Sequence, residues 1–136
     1  MKDFWKNKKV LITGHTGFKG SWMTLILSSL GAKVYGYALD PISKPNFFDG
    51  SELSKFLKKD VRANILNFGK LSNTIKKIKP SIVFHMAAQS SVLVSYKNPS
   101  DTIKTNILGT TNFLQSLISC KSVKSAIVVT TDKVYL

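Results

Sequence analysis

The chain has 136 residues, 43% of them hydrophobic and 20% charged, a composition that excludes disordered and collagen-like chains. This length suits one domain with a buried core and is too short for a two-domain enzyme. Twenty basic against seven acidic residues give a net charge of +13, which first points to a nucleic-acid binder. All the bases except Arg62 are scattered lysines, whereas specific DNA readers rely on arginine, so no nucleic-acid partner is expected. The charge instead fits a solvated lysine-rich surface, an anionic ligand, or an acidic remainder of the protein.

Membrane insertion, secretion and metal binding are not predicted either. No apolar run approaches the roughly 20 residues of a membrane-spanning helix, and residues 10–12 are too few for a signal-peptide core. Cys120 is the single cysteine, which excludes an internal disulfide framework. No His, Cys or acidic residues stand at metal-site spacing. These patterns predict a cytoplasmic protein without a membrane partner or a metal.

Short apolar runs alternate with longer amphipathic stretches along the chain. The runs predict five strands, at residues 10–13, 33–39, the stretch leading into 60–62, 82–87 and 126–131. The amphipathic stretches predict helices at residues 21–30, around 71–78 and at 101–119, with a short helical turn near 47–53. The first helix is expected to bury Trp22, Leu25, Ile26 and Leu30, and the last to bury Ile103, Ile107, Leu114, Leu117 and Ile118.

This alternation of strands and helices predicts parallel strands joined by right-handed crossovers. The expected fold class is α/β, a doubly wound parallel sheet of the Rossmann type, which binds dinucleotides at the carboxyl ends of its strands. We expect residues 1–136 to form this one domain. Because the pattern stops after the fifth strand, we expect an incomplete sheet with an uncovered apolar edge there.

Three glycines, Gly14, Gly17 and Gly20, directly follow the first predicted strand and open a helix. The first permits a tight turn, the second lets the backbone approach a pyrophosphate, and the third lets the helix pack close to the strand. The helix N-terminus offers N–H groups and the positive end of its dipole to phosphates. The alternative is an ordinary strand–helix turn, but this context favours a dinucleotide site. His15, inside the loop, is a candidate for a cofactor contact.

Acidic residues stand at the second and third predicted strands. Asp40 ends the second strand, twenty residues after Gly20, where a carboxylate bonds both hydroxyls of the adenine ribose and repels a 2′-phosphate. That arrangement favours NAD over NADP. Asp60 and Val61 come at an edge expected to face the adenine, whose amino group can donate to the carboxylate. A loop cap at Asp40 and a helix cap at Asp60 are the structural alternatives.

The fourth and fifth predicted strands end in small or polar residues. Residues 87–89 leave room for a cofactor to lie across the sheet edge, unless they form a simple strand-end turn. Residues 130–133 bring hydroxyls, an acid and an amine to the edge where such sheets bind ligands, although Thr-Asp also begins many helices. His85 is expected to be a satisfied core histidine. The predicted catalytic residues are Thr131, Asp132 and Lys133, and the predicted cofactor-binding residues are Gly14, His15, Thr16, Gly17, Phe18, Lys19, Gly20, Asp40, Asp60, Val61, Ala87, Ala88, Gln89 and Thr130.

With these motifs in place, the sequence resembles the extended short-chain dehydrogenase/reductase family of NAD-dependent epimerases and dehydratases. The matching stretches are residues 10–25 (VLITGHTGFKGSWMTL), 30–41 (LGAKVYGYALDP), 80–89 (PSIVFHMAAQ), 106–112 (NILGTTN) and 129–135 (VTTDKVY). The strings GHTGFKG and TTDK resemble the CDP-glucose 4,6-dehydratase branch. Relatives that act on dTDP-glucose carry Asp-Glu where this chain has Asp132-Lys133.

The resemblance implies a reaction and roles for individual residues. NAD takes a hydride from C4 of the sugar in CDP-glucose, water leaves across C5 and C6, and the hydride returns to C6. Thr131 would bond the C4 oxygen and Asp132 would protonate the departing C6 hydroxyl. Lys133 stands where the dTDP branch has its C5 base, a role open to lysine only when neutral. Asn106 matches a helix asparagine near the active site and joins the cofactor-binding set. The family also implies a homodimer or larger assembly that uses the helix at 101–119.

The family further requires Tyr-x-x-x-Lys, in which tyrosine removes the C4 hydroxyl proton and lysine lowers the tyrosine pKa. None of Tyr35, Tyr37, Tyr96 and Tyr135 has lysine four residues later within these 136 residues. We therefore expect this chain to be the N-terminal, cofactor-binding portion of a dehydratase and to be inactive alone. The alternatives are an epimerase or reductase of the same family, against which residues 131–133 argue, and a non-catalytic NAD-binding remnant.

Overall fold

A computed structural model describes residues 2–131, and these build one parallel sheet. Its five strands stand in the order β3-β2-β1-β4-β5, as expected for a doubly wound fold, so the predicted fold class is confirmed. β3 runs through Arg62 instead of leading into Asp60, while β4 and β5 end before the predicted limits. The strands are β1 (Lys9–Thr13), β2 (Lys33–Ala38), β3 (Leu57–Arg62), β4 (Ile82–His85) and β5 (Ser125–Val128).

Helices connect the strands and cover both faces of the sheet. They are α1 (Lys2–Trp5), α2 (Phe18–Ser29), α3 (Phe47–Gly50), α4 (Phe68–Ile78), α5 (Val92–Lys97), α6 (Pro99–Ile103) and α7 (Gly109–Ile118), with a 3₁₀ turn at Leu53–Phe56 and a π-helical turn at Lys104–Leu108. The predicted helix at 101–119 therefore corresponds to α6, the π turn and α7 in succession. Within residues 2–131, no helix combines the length and the apolar character needed to cross a membrane.

Two apolar clusters lie on opposite faces of the sheet because successive strand residues point to opposite sides. On one face, Leu11 and Val83 pack against the buried side chains of α4 and Phe113 of α7. On the other, Val10 and Ile12 pack against Leu27 of α2. Both faces of β1 are therefore dry, which explains its uninterrupted apolar run.

The predicted inward face of α2 is wrong at Trp22 and Ile26, and the other two predicted residues, Leu25 and Leu30, are only half-buried. The helix buries Gly20, Ser21, Thr24 and Leu27, whereas Trp22 is 44% exposed and Ile26 is 49% exposed. Small residues face the sheet because the helix begins against the backbone of the preceding turn, where a Cβ at Gly20 would lie 2.8 Å from the Cα of His15. The helix thus exposes Trp22 and Ile26 and buries Leu27 together with the small residues.

The predicted inward face of the last helix is wrong for the same reason, except at Leu117, which packs on the core. α7 buries Gly109, Phe113 and Ser116. The Phe113 ring stacks on His85 at 4.4 Å, and a Cβ at Gly109 would lie 2.6 Å from Ile65. The residues predicted to point inward but found exposed are Ile103, Ile107, Leu114 and Ile118.

Candidate functional site

A cavity of about 430 Å³ opens where β1, β2, β3 and β4 end. Its walls come from the turn after β1, the segment after β2, the turn after β3 and the small residues after β4. Seven predicted site residues line it: Gly14, Thr16, Gly17, Phe18, Asp40, Ala87 and Ala88. The sheet edge that the sequence singled out therefore holds a cavity of ligand size.

The turn at residues 14–20, here called the glycine loop, forms the floor of this cavity. Gly14 has φ 75°, and a Cβ there would lie 2.7 Å from the backbone nitrogen of Ala87. Gly17 is the N-cap of α2 and has no side chain to accept from the first-turn N–H groups. These N–H groups and the helix dipole favour an anion at this end of the cavity. Lys19 and Gly20 belong to the loop but not to the cavity wall.

Asp40 follows β2 at the cavity wall, where it was predicted. Its carboxylate is 85% exposed, and its Oδ1 accepts a hydrogen bond from Nη1 of Arg62 at 3.2 Å. The pair forms because β2 and β3 are parallel neighbours in which Ala38 lies beside Arg62. Asp40 is therefore accessible to a ligand and has a cation at its side.

His15 and Asp60 contact each other rather than the cavity. The His15 side chain is fully buried, and its Nε2 lies 2.9 Å from Oδ1 of Asp60. The ring fills the space that a Cβ at Gly36 would need, and it forms an edge-to-face pair with the Phe48 ring. Neither His15, Asp60 nor Val61 lines the cavity, because β3 continues through Arg62 and carries Asp60 below its end.

The charge state of this pair follows from burial and from Arg62. Burial lowers the pKa of His15 below its ordinary 6.5, although the Asp60 charge raises it. Burial by itself raises the pKa of Asp60, but the hydrogen bonds and charge of Arg62 together with the contact to His15 outweigh it, and the net shift is downward. Asp60 is therefore ionised, and His15 is neutral with its Nε2 proton donated to the carboxylate. Nδ1 of His15 is buried and has no hydrogen-bond partner among the described residues.

A second hydrogen-bond network holds the segment after β4. Oδ1 of Asn106 accepts from the backbone N–H of Gln89 at 2.8 Å, and its Nδ2 donates to the Gln89 carbonyl at 2.9 Å. Below them, the Thr13 hydroxyl lies 2.7 Å from Nδ1 of His85, whose Nε2 contacts Thr110 at 3.1 Å. The prediction of a satisfied core histidine is confirmed. Asn106 and Gln89 thus brace the cavity wall without lining it.

The residues predicted to be catalytic lie at the edge of the described chain. Thr130 and Thr131 follow β5 and are exposed. Asp132 and Lys133 lie outside the described residues. Among residues 2–131, no group of three or more His, Cys, Asp or Glu side chains is arranged to hold a metal ion.

Sequence reasoning missed a large part of the cavity wall. The segment after β2 supplies more of the missed residues than any other, and Thr105 comes from the π turn. The sequence carried only weak signals for these lining residues, because an apolar residue in a polar loop, such as Ile42, is usually interpreted as a surface residue. The missed lining residues include Pro41, Ile42, Ser43, Asn46, Phe47, Asn64, Ile65 and Thr105.

Comparison with known proteins yields a consistent set of relatives. Residues 11–135 match the sequence model of the family described as GDP-mannose 4,6 dehydratase. CDP-glucose 4,6-dehydratase of Salmonella typhimurium is 44% identical over 134 residues, which are 98% of this chain and 37% of that protein. GDP-mannose 4,6 dehydratase 2 of Caenorhabditis elegans is 30% identical over 132 residues, 89% of this chain and 34% of that protein. The chain thus spans little more than a third of the length of these relatives.

Solved structures with the same fold include two epimerases. UDP-glucose 4-epimerase from Brucella ovis, in complex with NAD, matches with a TM-score of 0.75 and 25% identity over 89% of this chain and 35% of that one. UDP-glucose 4-epimerase from Thermotoga maritima, with UDP-glucose, matches with a TM-score of 0.77 and 29% identity over 90% of this chain and 38% of that one.

Proposed function

Because this chain belongs to the GDP-mannose 4,6-dehydratase family, we propose that it is the dinucleotide-binding part of a nucleotide-sugar 4,6-dehydratase. The observation that carries the proposal is the cavity in which the glycine loop and Asp40 meet. CDP-glucose is the proposed substrate, since the relative that acts on it shares 44% identity, against 30% for the GDP-mannose relative.

The cavity residues fit NAD. The glycine loop leaves space that a side chain would fill, because a Cβ at Gly14 would collide with the backbone after β4. The first turn of α2 offers N–H groups for a pyrophosphate. Asp40 offers an exposed carboxylate oxygen to the ribose hydroxyls. When bound, NAD stores the hydride of the sugar between its removal and its return. The solved Brucella ovis epimerase, which shares this fold, is in complex with NAD.

The sugar is proposed to lie beyond β5. There Thr131 donates a hydrogen bond to the C4 oxygen, and Asp132 gives a proton to the departing C6 hydroxyl. Lys133 orients the sugar or, when neutral, takes the C5 proton. Lysine does not stand four residues after Tyr35, Tyr37 or Tyr96. The base for the C4 hydroxyl is therefore proposed to come from the rest of the full-length protein.

The direct test uses the full-length protein with NAD and each of CDP-glucose, GDP-mannose and dTDP-glucose. We expect loss of one water from CDP-glucose by mass spectrometry, with deuterium placed at C4 recovered at C6. Asp132→Asn is expected to retain NAD binding and to lose at least about a hundredfold in turnover. Its matched control, Asp101→Asn on α6, removes an exposed acid outside the cavity and should keep full turnover. Turnover of GDP-mannose in preference to CDP-glucose would contradict the substrate assignment.

A second candidate function is 4-epimerisation of a nucleotide sugar. It is favoured by the two solved epimerases that share the fold. An epimerase would invert C4 without loss of water, so the same mass measurement separates the two reactions. An inverted product of unchanged mass would establish the second candidate.

We also propose that the full-length protein assembles as a homodimer through the outer face of α6, the π turn and α7. That face exposes large apolar side chains, which monomeric proteins seldom leave uncovered. Light scattering should give twice the chain mass. Ile107→Glu should halve that mass, whereas Lys58→Glu, a control at an exposed lysine on β3, should not. The exposed apolar residues are Ile103, Ile107, Leu108, Leu114 and Ile118.

A further inference from the structure

Arg62 is held in one orientation between two carboxylates. Its Nε donates to Oδ1 of Asp60 at 2.8 Å, and its Nη2 donates to Oδ2 of Asp60 at 2.7 Å. The guanidinium also lies over the Phe48 ring, 4.9 Å from its centroid. A two-point bond and a stacked face fix the plane of the guanidinium. Nη1 is therefore presented at a defined place, and that place is 3.2 Å from Asp40.

The anchor beneath Arg62 is itself fixed. Asp60 takes a further hydrogen bond from His15, whose ring is fully buried under the glycine loop. Removing the Asp40 carboxylate would leave the two Asp60 bonds to Arg62 in place. The guanidinium would then keep its position with Nη1 free.

Asp40 lines the cavity, and Arg62 lies directly behind it, so a carboxylate and a guanidinium with opposing preferences stand side by side at this edge. A carboxylate at the end of β2 accepts from the ribose 2′-hydroxyl of NAD and repels the 2′-phosphate of NADP, whereas a nearby arginine accommodates that phosphate. Asp40 is 85% exposed and Arg62 is 31% exposed, so both are open to a ligand. With His15 neutral, Asp40, Asp60 and Arg62 carry a net charge of −1. That charge becomes zero when Asp40 loses its carboxylate.

We infer that Arg62 is a specificity-determining residue for the dinucleotide: it weakens the preference of Asp40 for NAD and binds a 2′-phosphate once that carboxylate is gone. The inference rests on the proposed dinucleotide function and deepens it. In the native protein, Asp40 occupies Nη1 and NAD is preferred. In a protein with an uncharged residue 40, the same Nη1 donates to a phosphate oxygen instead.

The test measures dissociation constants of NAD and NADP by calorimetry on the full-length protein freed of copurified nucleotide. Asp40→Asn should raise NADP affinity relative to NAD by about 10- to 100-fold, the range of one charge-assisted hydrogen bond. The double variant Asp40→Asn/Arg62→Met should lose that gain. Arg62→Met alone should sharpen the discrimination against NADP. Arg62→Lys keeps the positive charge but loses the paired N–H donors of the guanidinium. In the Asp40→Asn background it should therefore retain part of the gain in NADP affinity relative to NAD.

Lys44 supplies the matched control, since it is an exposed lysine in the segment that follows Asp40. In the Asp40→Asn background, Lys44→Met removes the same charge as Arg62→Met and should change the NADP-to-NAD ratio by no more than about twofold. An equal loss in both variants would show a general charge effect and overturn the inference. Circular dichroism melts establish that each variant is folded.

The failure of this inference is distinguishable from failure of the proposed function. If the native protein binds NAD but Asp40→Asn gains no NADP affinity, the role of Arg62 is refuted and the dinucleotide site stands. If the gain persists in the double variant, Arg62 is again refuted. If the folded native protein binds neither dinucleotide, the proposed function itself fails.

Discussion

Gly36→Ala provides a sharp test of how the glycine loop is supported. A Cβ at Gly36 would lie 2.6 Å from Cγ, Cδ2 and Cε1 of His15, so the new methyl would press on the face of the ring. Carbon atoms pack at about 3.5–4.0 Å, so the ring must retreat by about 1 Å. His15 is fully buried and forms an edge-to-face pair with Phe48. The retreat must therefore break the 2.9 Å contact between His15 and Asp60.

The magnitude follows from two terms. Overfilling a packed interior by one methyl costs about 1–3 kcal/mol. Loss of the His15 bond to an ionised carboxylate adds about 1–3 kcal/mol. We expect Gly36→Ala to lower the free energy of unfolding by about 2–6 kcal/mol. In a protein that already carries His15→Ala, the methyl enters vacated space and should cost about 1 kcal/mol or less.

The assay is a double-mutant cycle in which chemical denaturation of the full-length protein is monitored by circular dichroism. The cycle should give a coupling energy of at least about 1 kcal/mol between residues 36 and 15. A matched control is Gly50→Ala, where a Cβ would meet nothing within 4 Å. If Gly36→Ala costs the same with and without the His15 ring, the collision is not its cause and the reasoning is refuted.

Three further predictions concern the glycine loop, the hydrogen bonds that brace the cavity wall, and the stability of the protein at acid pH. Gly20→Ala should weaken NAD binding at least about tenfold, because its Cβ would enter the backbone of the glycine loop; Gly50→Ala should bind normally by calorimetry. Asn106→Ala should destabilise the protein by about 2 kcal/mol in the same denaturation assay, since both its bonds to the Gln89 backbone are lost. Asn106→Asp keeps the acceptor but sets a carboxylate oxygen against the Gln89 carbonyl, so it should be no more stable than Asn106→Ala. Burial lowers the pKa of His85 to about 4, so the unfolded chain takes up a proton first as the pH falls from about 6.5 to 4. Above pH 6.5 neutral His85 contributes its full share to the free energy of unfolding, and up to about 3 kcal/mol of this share should be lost as the pH falls to about 4. In His85→Gln, the free energy of unfolding should depend less on pH over that range. If the free energy of unfolding of His85→Gln falls with pH as steeply as that of the native protein, other groups cause the loss.

Local pattern predicted the elements of this fold because each strand is a short apolar run and each connection is long enough for a helix. All five predicted strands overlap observed strands, and the Rossmann order follows from them. The helix faces were not predictable from apolar residues alone. In α2 and α7 the side facing the sheet is occupied by glycine and serine together with a few large residues. The close approach of helix and sheet selects small residues, which carry no hydrophobic signal.

The sequence by itself determined the glycine loop, the acid after β2 and the small residues after β4, since these lie next to strand ends along the chain. Only the tertiary structure decided which side chains face the cavity. It placed His15 beneath the loop because Gly36, on the neighbouring strand, leaves room for a ring. It also brought Arg62 to Asp40, since parallel pairing sets Ala38 beside Arg62. These contacts join residues 21 and 22 positions apart, and such pairings depend on strand register, which no local pattern encodes.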